Sequence, residues 1–156
     1  MSGGSQSLGR LLRFKVMSTQ PGGMAAALAR GETLAREGIE KLRDEAYEDL
    51  ATRIARLGWP GSVIAEELYA DAHDIRAVAA TFGFRAVGAA ADALCRYLES
   101  LGDDDAVDRP FVDLIVAAMR CSFSKPADPL ADEVAASCHK AVDSALEKRK
   151  RPAALD

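Results

Sequence analysis

Aromatic residues are scarce in this 156-residue chain, at 6%, and no stretch shows the polar–apolar alternation of a strand. A β architecture is therefore not expected. No basic excess is present either: 20 Lys and Arg stand against 24 Asp and Glu, a formal charge of -4, which leaves no global field for phosphate backbones and excludes nucleic acid as the expected partner. Apolar runs fall well short of the ~20 residues that cross a bilayer, and the opening MSGGSQSLGRLLRFKV has no apolar core followed by a cleavage site. The expectation is a soluble, cytoplasmic protein without membrane association. Cys95, Cys121 and Cys138 are widely spaced and odd in number, so they read as small buried thiols of a reducing compartment. With two histidines and no G-x-x-x-x-G-K-[ST], G-x-G-x-x-G or H-E-x-x-H motif, neither a nucleotide fold nor a metal site is expected.

What the chain has is alanine, thirty of them, within a 49% apolar composition. Alanine is the best helix former, and the length suits one domain. From Met24 to Leu57 the residues Leu34, Ile39, Leu42, Ala46, Leu50, Ile54 and Leu57 recur at threes and fours, with Gly31 and Gly38 softening the first turns. Gly58-Trp59-Pro60 stops that helix, and a second is expected from Pro60 to Phe82. Gly83 separates it from a third, Arg85 to Leu101, with Val87, Ala90, Leu94, Leu98 and Leu101 on its inner stripe. Asp108 is the expected cap of a fourth helix opening at Arg109-Pro110 and lined by Phe111, Leu114, Ile115, Ala118 and Met119. A fifth runs from Asp128 to Lys148 through Leu130, Val134, Cys138, Ala141, Ala145 and Leu146.

These segments predict an all-α protein, an antiparallel four-helix bundle with one additional helix or long N-terminal segment. The bundle is assigned to residues 24–149, between a Gly- and Ser-rich tail over 1–23 and a C-terminal tail over 150–156. The tail carries a small basic and apolar patch from Arg10 to Val16. The run Lys148-Arg149-Lys150-Arg151 complements the negative end of a helix dipole.

One histidine stands out by its position. On a helical wheel Ile64, Leu68, Ile75, Ala79 and Phe82 define the buried stripe of the second helix, and His73 falls roughly 140° from its centre. Its imidazole is predicted to face outward, with Tyr69 one turn before it and Arg76 and Ala77 one turn after. His139, by contrast, reads as a solvated helix residue.

The run Asp71-Ala72-His73-Asp74-Ile75-Arg76-Ala77, the glycine at 83 ten residues after the histidine, and the downstream Leu94-Cys95-Arg96-Tyr97-Leu98-Glu99 resemble histidine-containing phosphotransfer (HPt) domains, in particular alphaproteobacterial forms. Those domains carry A-H-x-[LI]-[KR]-[GA], and Ala72, His73, Ile75, Arg76 and Gly83 occupy the matching places. The likeness covers residues 30 to 148, while its specific part spans only about 27 residues by motif matching. It departs from the usual pattern where arginine replaces lysine at 76 and alanine replaces glycine at 77. The distance from His73 to the Leu94-Cys95 pair is also about a turn longer than is common.

The resemblance implies a phosphorelay intermediate of a two-component system, a phosphoryl carrier and not an autokinase. His73 would be the phosphoacceptor through Nε2, with Arg76 stabilising the phosphoryl group. Tyr69, Ala72, Ala77, Ala80, Gly83, Phe84 and Arg85 would meet the partner. Implied partners are response-regulator receiver domains and a hybrid histidine kinase. No cofactor or metal belongs to the chain; Mg²⁺ is expected on the partner receiver domain. A monomer is expected. Two competing readings are a non-phosphorylated helical adaptor for receivers or other signalling proteins, and a relative of the dimerisation and phosphotransfer part of a histidine kinase. The adaptor needs neither His73 nor Arg76, and the kinase relative needs a nucleotide-binding half.

Overall fold

The structure, a computed structural model, describes residues 21–150. The Arg10 to Val16 patch and residues 151–156 lie outside the described residues. The fold is all-α, and the described residues form five helices: α1 (Pro21–Leu57), α2 (Ala65–Phe82), α3 (Arg85–Glu99), α4 (Arg109–Ser124) and α5 (Pro129–Lys150). Among the described residues no helix is long and apolar enough to cross a membrane.

The described residues divide into two compact units that part between Leu42 and Arg43. In the first, residues 23–42 are all exposed along a continuous α1. Helix α1 begins at Pro21, so the expected tail boundary at residue 23 lies inside it, and Gly31 and Gly38 do not divide it. Leu34, Ile39 and Leu42, expected on a core stripe, are exposed at 68%, 64% and 56%. Their amphipathic period is helical as predicted, but nothing among the described residues covers it.

The second unit holds the core. Leu50, Ile54 and Leu57 of α1 join Leu68, Ile75 and Ala79 of α2, Val87, Leu94 and Leu98 of α3, Val112, Ile115 and Met119 of α4, and Cys138 and Val142 of α5. Helix α3 is central, meeting α2, α4 and α5, and α4 also meets α5. Its central place explains why nine of its residues are buried. Alanine makes that close approach practicable: Ala131 and Ala135 of α5 lie against Ala86 and Ala89 of α3, where longer side chains would hold the helices apart.

Local chemistry sets the breaks. Trp59, Pro60 and Gly61 form a turn closed by Ser62 N–H donating to the Trp59 carbonyl at 3.0 Å. Proline at its second place starts a turn rather than α2, which begins at Ala65. Ile64 therefore precedes the helix with an extended ψ of 117° and is 51% exposed, off the stripe to which the wheel assigned it. Gly83 ends α2 at φ 81°, in the left-handed region that favours glycine. Asp108 caps α4 as expected, accepting from Phe111 N–H at 3.2 Å. Arg109 then donates to the Leu57 and Ser62 carbonyls, both at 2.7 Å, and so satisfies the C-terminal end of α1.

Three further expectations are corrected. Leu114 and Leu130 are about three-fifths exposed, at 60% and 59%. The buried faces are Val112, Ile115, Val116 and Met119 on α4 and Ala131, Ala135, Cys138 and Val142 on α5, because small residues set the orientation of α5. Cys95 and Cys138 are buried thiols, but Cys121 is exposed. Helix α5 runs to Lys150, two residues past its expected end.

Candidate functional site

His73 lies in the middle of α2, which holds it through Leu68, Ala72, Ile75 and Ala79, spaced by fours and threes and fully buried. That stripe points the opposite side of the helix outward, and the His73 side chain is 48% exposed. Nδ1 stands 3.9 Å from Asp74 Oδ1, which leaves Nε2 as the distal ring nitrogen. The Tyr69 ring lies one turn back, its centroid 6.0 Å from the imidazole.

Both neighbours of His73 toward α3 are tied to that helix. Tyr69 Oη donates to Glu99 Oε1 at 2.8 Å, and this bond to a carboxylate raises the phenol above its ordinary pKa. Arg76 donates to Asp92 Oδ1 at 2.9 Å, which raises its guanidinium further and holds it as a cation one turn from His73. It is half-buried rather than freely exposed. Beneath it Cys95 is pushed up to about 11, chiefly by burial. A thiol held neutral there is unsuited to nucleophilic work.

Toward α1, Arg53 donates to Asp74 Oδ2 at 2.6 Å, and Arg56 grips the buried Asp71 through two hydrogen bonds, one of them at 2.6 Å. Asp74 is thereby occupied on the side away from the imidazole, and α2 is fixed in rotation between α1 and α3. A polar chain also leaves the site: Asp92 Oδ2 lies 4.0 Å from His139 Nε2, His139 Nδ1 is 3.2 Å from Arg96, and Arg96 donates to Asp143 at 2.7 Å. His139 is thus half-buried between α3 and α5, not the solvated residue expected.

Among the expected partner-facing residues, Ala77, Ala80, Gly83 and Arg85 are exposed, and Tyr69 is half-buried with its hydroxyl bonded. Two are corrected. Ala72 is fully buried, because it continues the Leu68 and Ile75 stripe into α3. Phe84 is 5% exposed, because the left-handed turn at Gly83 sends it inward against Tyr47 and Phe123. Arg85 pairs with Asp132 at 3.5 Å.

No family model, curated protein or solved structure matches this chain. Its site is therefore read from its own chemistry. One exposed imidazole and one paired guanidinium can bind and exchange an anionic group with an incoming protein. They do not form an enclosed pocket for a small substrate. The groove of about 720 Å³ that Tyr69 helps to line is rimmed by Glu66, Glu99, Asp103 and Asp105, a field that repels phosphate. Among the described residues no group of three or more His, Cys, Asp or Glu is placed to hold a metal.

Sequence reasoning did not reach Asp92 and Arg56, nor the bonds made by Asp71 and Glu99. Helical spacing signals only neighbours within one helix, and these four bond across helices separated by 15 to 30 residues.

Proposed function

We propose that this chain is a phosphoryl carrier of a two-component phosphorelay, accepting on His73 from a receiver-domain aspartate and passing the group to a second receiver. The observation that carries the reading is the exposed, distal Nε2 of His73 with the Arg76 guanidinium one turn along the same helix. The Nε2 lone pair attacks phosphorus in line, the N–P bond forms, and the acyl phosphate P–O bond breaks to return the partner's aspartate as carboxylate. Mg²⁺ on the receiver neutralises charge during transfer; the bundle supplies an aligned imidazole and a cation. Transfer uses the neutral imidazole protonated on Nδ1, whose lone pair is on Nε2. The reverse step, to a second receiver, uses the same groups.

Ala77 and Ala80 give the receiver close access beside the imidazole, bordered by Arg85. The partners of this reading are receiver domains and a hybrid kinase. The adaptor reading is favoured by one observation, that Arg76 already has a carboxylate partner in Asp92. Incubation with a phosphorylated receiver separates the two: a carrier acquires an acid-labile, alkali-stable phosphate that is absent from His73→Gln. An adaptor binds the receiver and acquires none.

A further inference from the structure

Helix α1 carries a second, separate feature in its first unit. Met24, Leu28, Leu34, Ile39 and Leu42 are each more than half exposed; Met24, Leu28, Ile39 and Leu42 fall within about 60° of one another on the helix, with Leu34 about 80° to one side of Met24. Within that face two rows repeat every seven residues, Met24, Gly31 and Gly38 in one and Leu28, Ala35 and Leu42 in the other. This is the a and d pattern of paired helices. The two glycines are otherwise unexplained. Among the described residues nothing outside the helix's own nearby backbone lies within 4 Å of where a Cβ of Gly31 or Gly38 would sit, so there they weaken the helix without a steric need.

We propose that this face is the homodimerisation surface of the protein, with a second copy of the chain laid antiparallel along residues 24–42. Antiparallel pairing with full overlap brings large residues against small ones. Leu28 of one copy meets Gly38 of the other, Leu42 meets Met24, and Gly31 meets Ala35. Leu34 meets its own equivalent at the flank, and Ile39 covers Ala25. The glycines then have a purpose, admitting the leucines of the second copy. Flanking charges permit self-association: Arg30, Arg36 and Lys41 balance Glu32, Glu37 and Glu40, and Glu32 comes within reach of Arg36 of the second copy.

The area suffices. A large aliphatic side chain presents on the order of 100 Å² of apolar surface, so five per copy approach the ~1,200 Å² lower end of stable interfaces before alanines and charged stems are counted. This inference is independent of the phosphoryl-carrier reading and is an alternative to the monomer expected from sequence.

Sedimentation equilibrium of the full chain at micromolar concentration tests it, with twice the chain mass expected. Leu28→Glu/Leu42→Glu should sediment as a monomer with unchanged helical circular dichroism. Gly38→Leu is the sharper variant: it has open space in the single chain and raises helix propensity, yet it should weaken dimerisation at least tenfold. Orientation is read in a Cys121→Ser background, where Met24→Cys and Leu42→Cys chains should cross-link when mixed and Met24→Cys alone should not. A monomer at all concentrations overturns the proposal. So does a dimer indifferent to Leu28→Glu/Leu42→Glu or to Gly38→Leu, or Met24→Cys cross-linking to itself.

Discussion

Arg76 and Asp92 are bonded at 2.9 Å between α2 and α3, so the cation nearest His73 along its helix is held by a carboxylate of the neighbouring helix. The arrangement keeps the guanidinium charged and positioned, and under the proposed phosphoryl-carrier function it sets a competition: an arriving phosphoryl group would have to draw it from Asp92. The remaining expectations about this site follow from that competition and from the bonds that fix α2.

Removing the cation should cost more transfer than removing its partner. Arg76→Ala is expected to slow phosphoryl transfer to His73 roughly tenfold, equivalent to about 1.4 kcal/mol of transition-state stabilisation. Asp92→Asn, which releases the guanidinium, should transfer at least as fast as wild type. Both side chains are more than a third exposed, so unfolding in urea should shift by no more than about 1 kcal/mol in either variant. Rapid-quench transfer assays with one receiver compare the three.

The Arg56 and Asp71 pair is structural rather than chemical. Asp71 is 7% exposed, and without Arg56 the cation left near its carboxylate among the described residues is Arg53 at 3.9 Å. Arg56→Ala should destabilise the bundle by about 1–3 kcal/mol, the usual cost of leaving a buried polar group poorly paired. Urea unfolding measures this, and an unchanged midpoint would show that α2 does not depend on that clamp.

Two glycines should respond in opposite directions. Gly83 lies at φ 81°, so Gly83→Ala is expected to cost about 1–2 kcal/mol. At Gly88 an added Cβ would meet Ala79 Cβ at 3.5 Å, an ordinary contact, and Gly88→Ala should stabilise by about 0.4–1 kcal/mol. Thermal unfolding of the two variants checks both signs.

Much of this fold was legible from punctuation. Gly83, the Gly58-Trp59-Pro60 stop and Asp108 before Pro110 marked breaks between helices because proline, glycine and capping aspartate act locally. The outward face of His73 was legible for the same reason, since a wheel needs only one helix. Ala72 and Phe84 were not. An alanine carries little signal of its own, and its burial depends on which helix approaches it. Phe84 lies beyond the left-handed turn, where the wheel of α2 no longer applies. The Asp92, Glu99 and His139 contacts need the positions of α3 and α5, which no local period encodes.

Titration should distinguish two groups. Tyr69, whose bond to Glu99 raises its pKa, should ionise at higher pH than an ordinary phenol, and Glu99→Gln should bring it back; absorbance of the tyrosinate reports both. Burial raises the Cys95 thiol to about 11, so folding disfavours its thiolate. The stability this group contributes is complete below the unfolded-state thiol pKa and is lost as pH rises from there toward 11. At mildly alkaline pH the exposed Cys121 should react quickly with a thiol reagent, while Cys95 and Cys138 stay protected until unfolding.

The most direct test of the central claim is phosphotransfer mapping with receiver domains carrying labelled aspartyl phosphate. The expected result is rapid appearance of one acid-labile phosphate on His73, lost in His73→Gln and returned to a second receiver on addition. Equal labelling of wild type and His73→Gln, or no labelling of a folded chain by any receiver of a broad panel, would contradict the assignment.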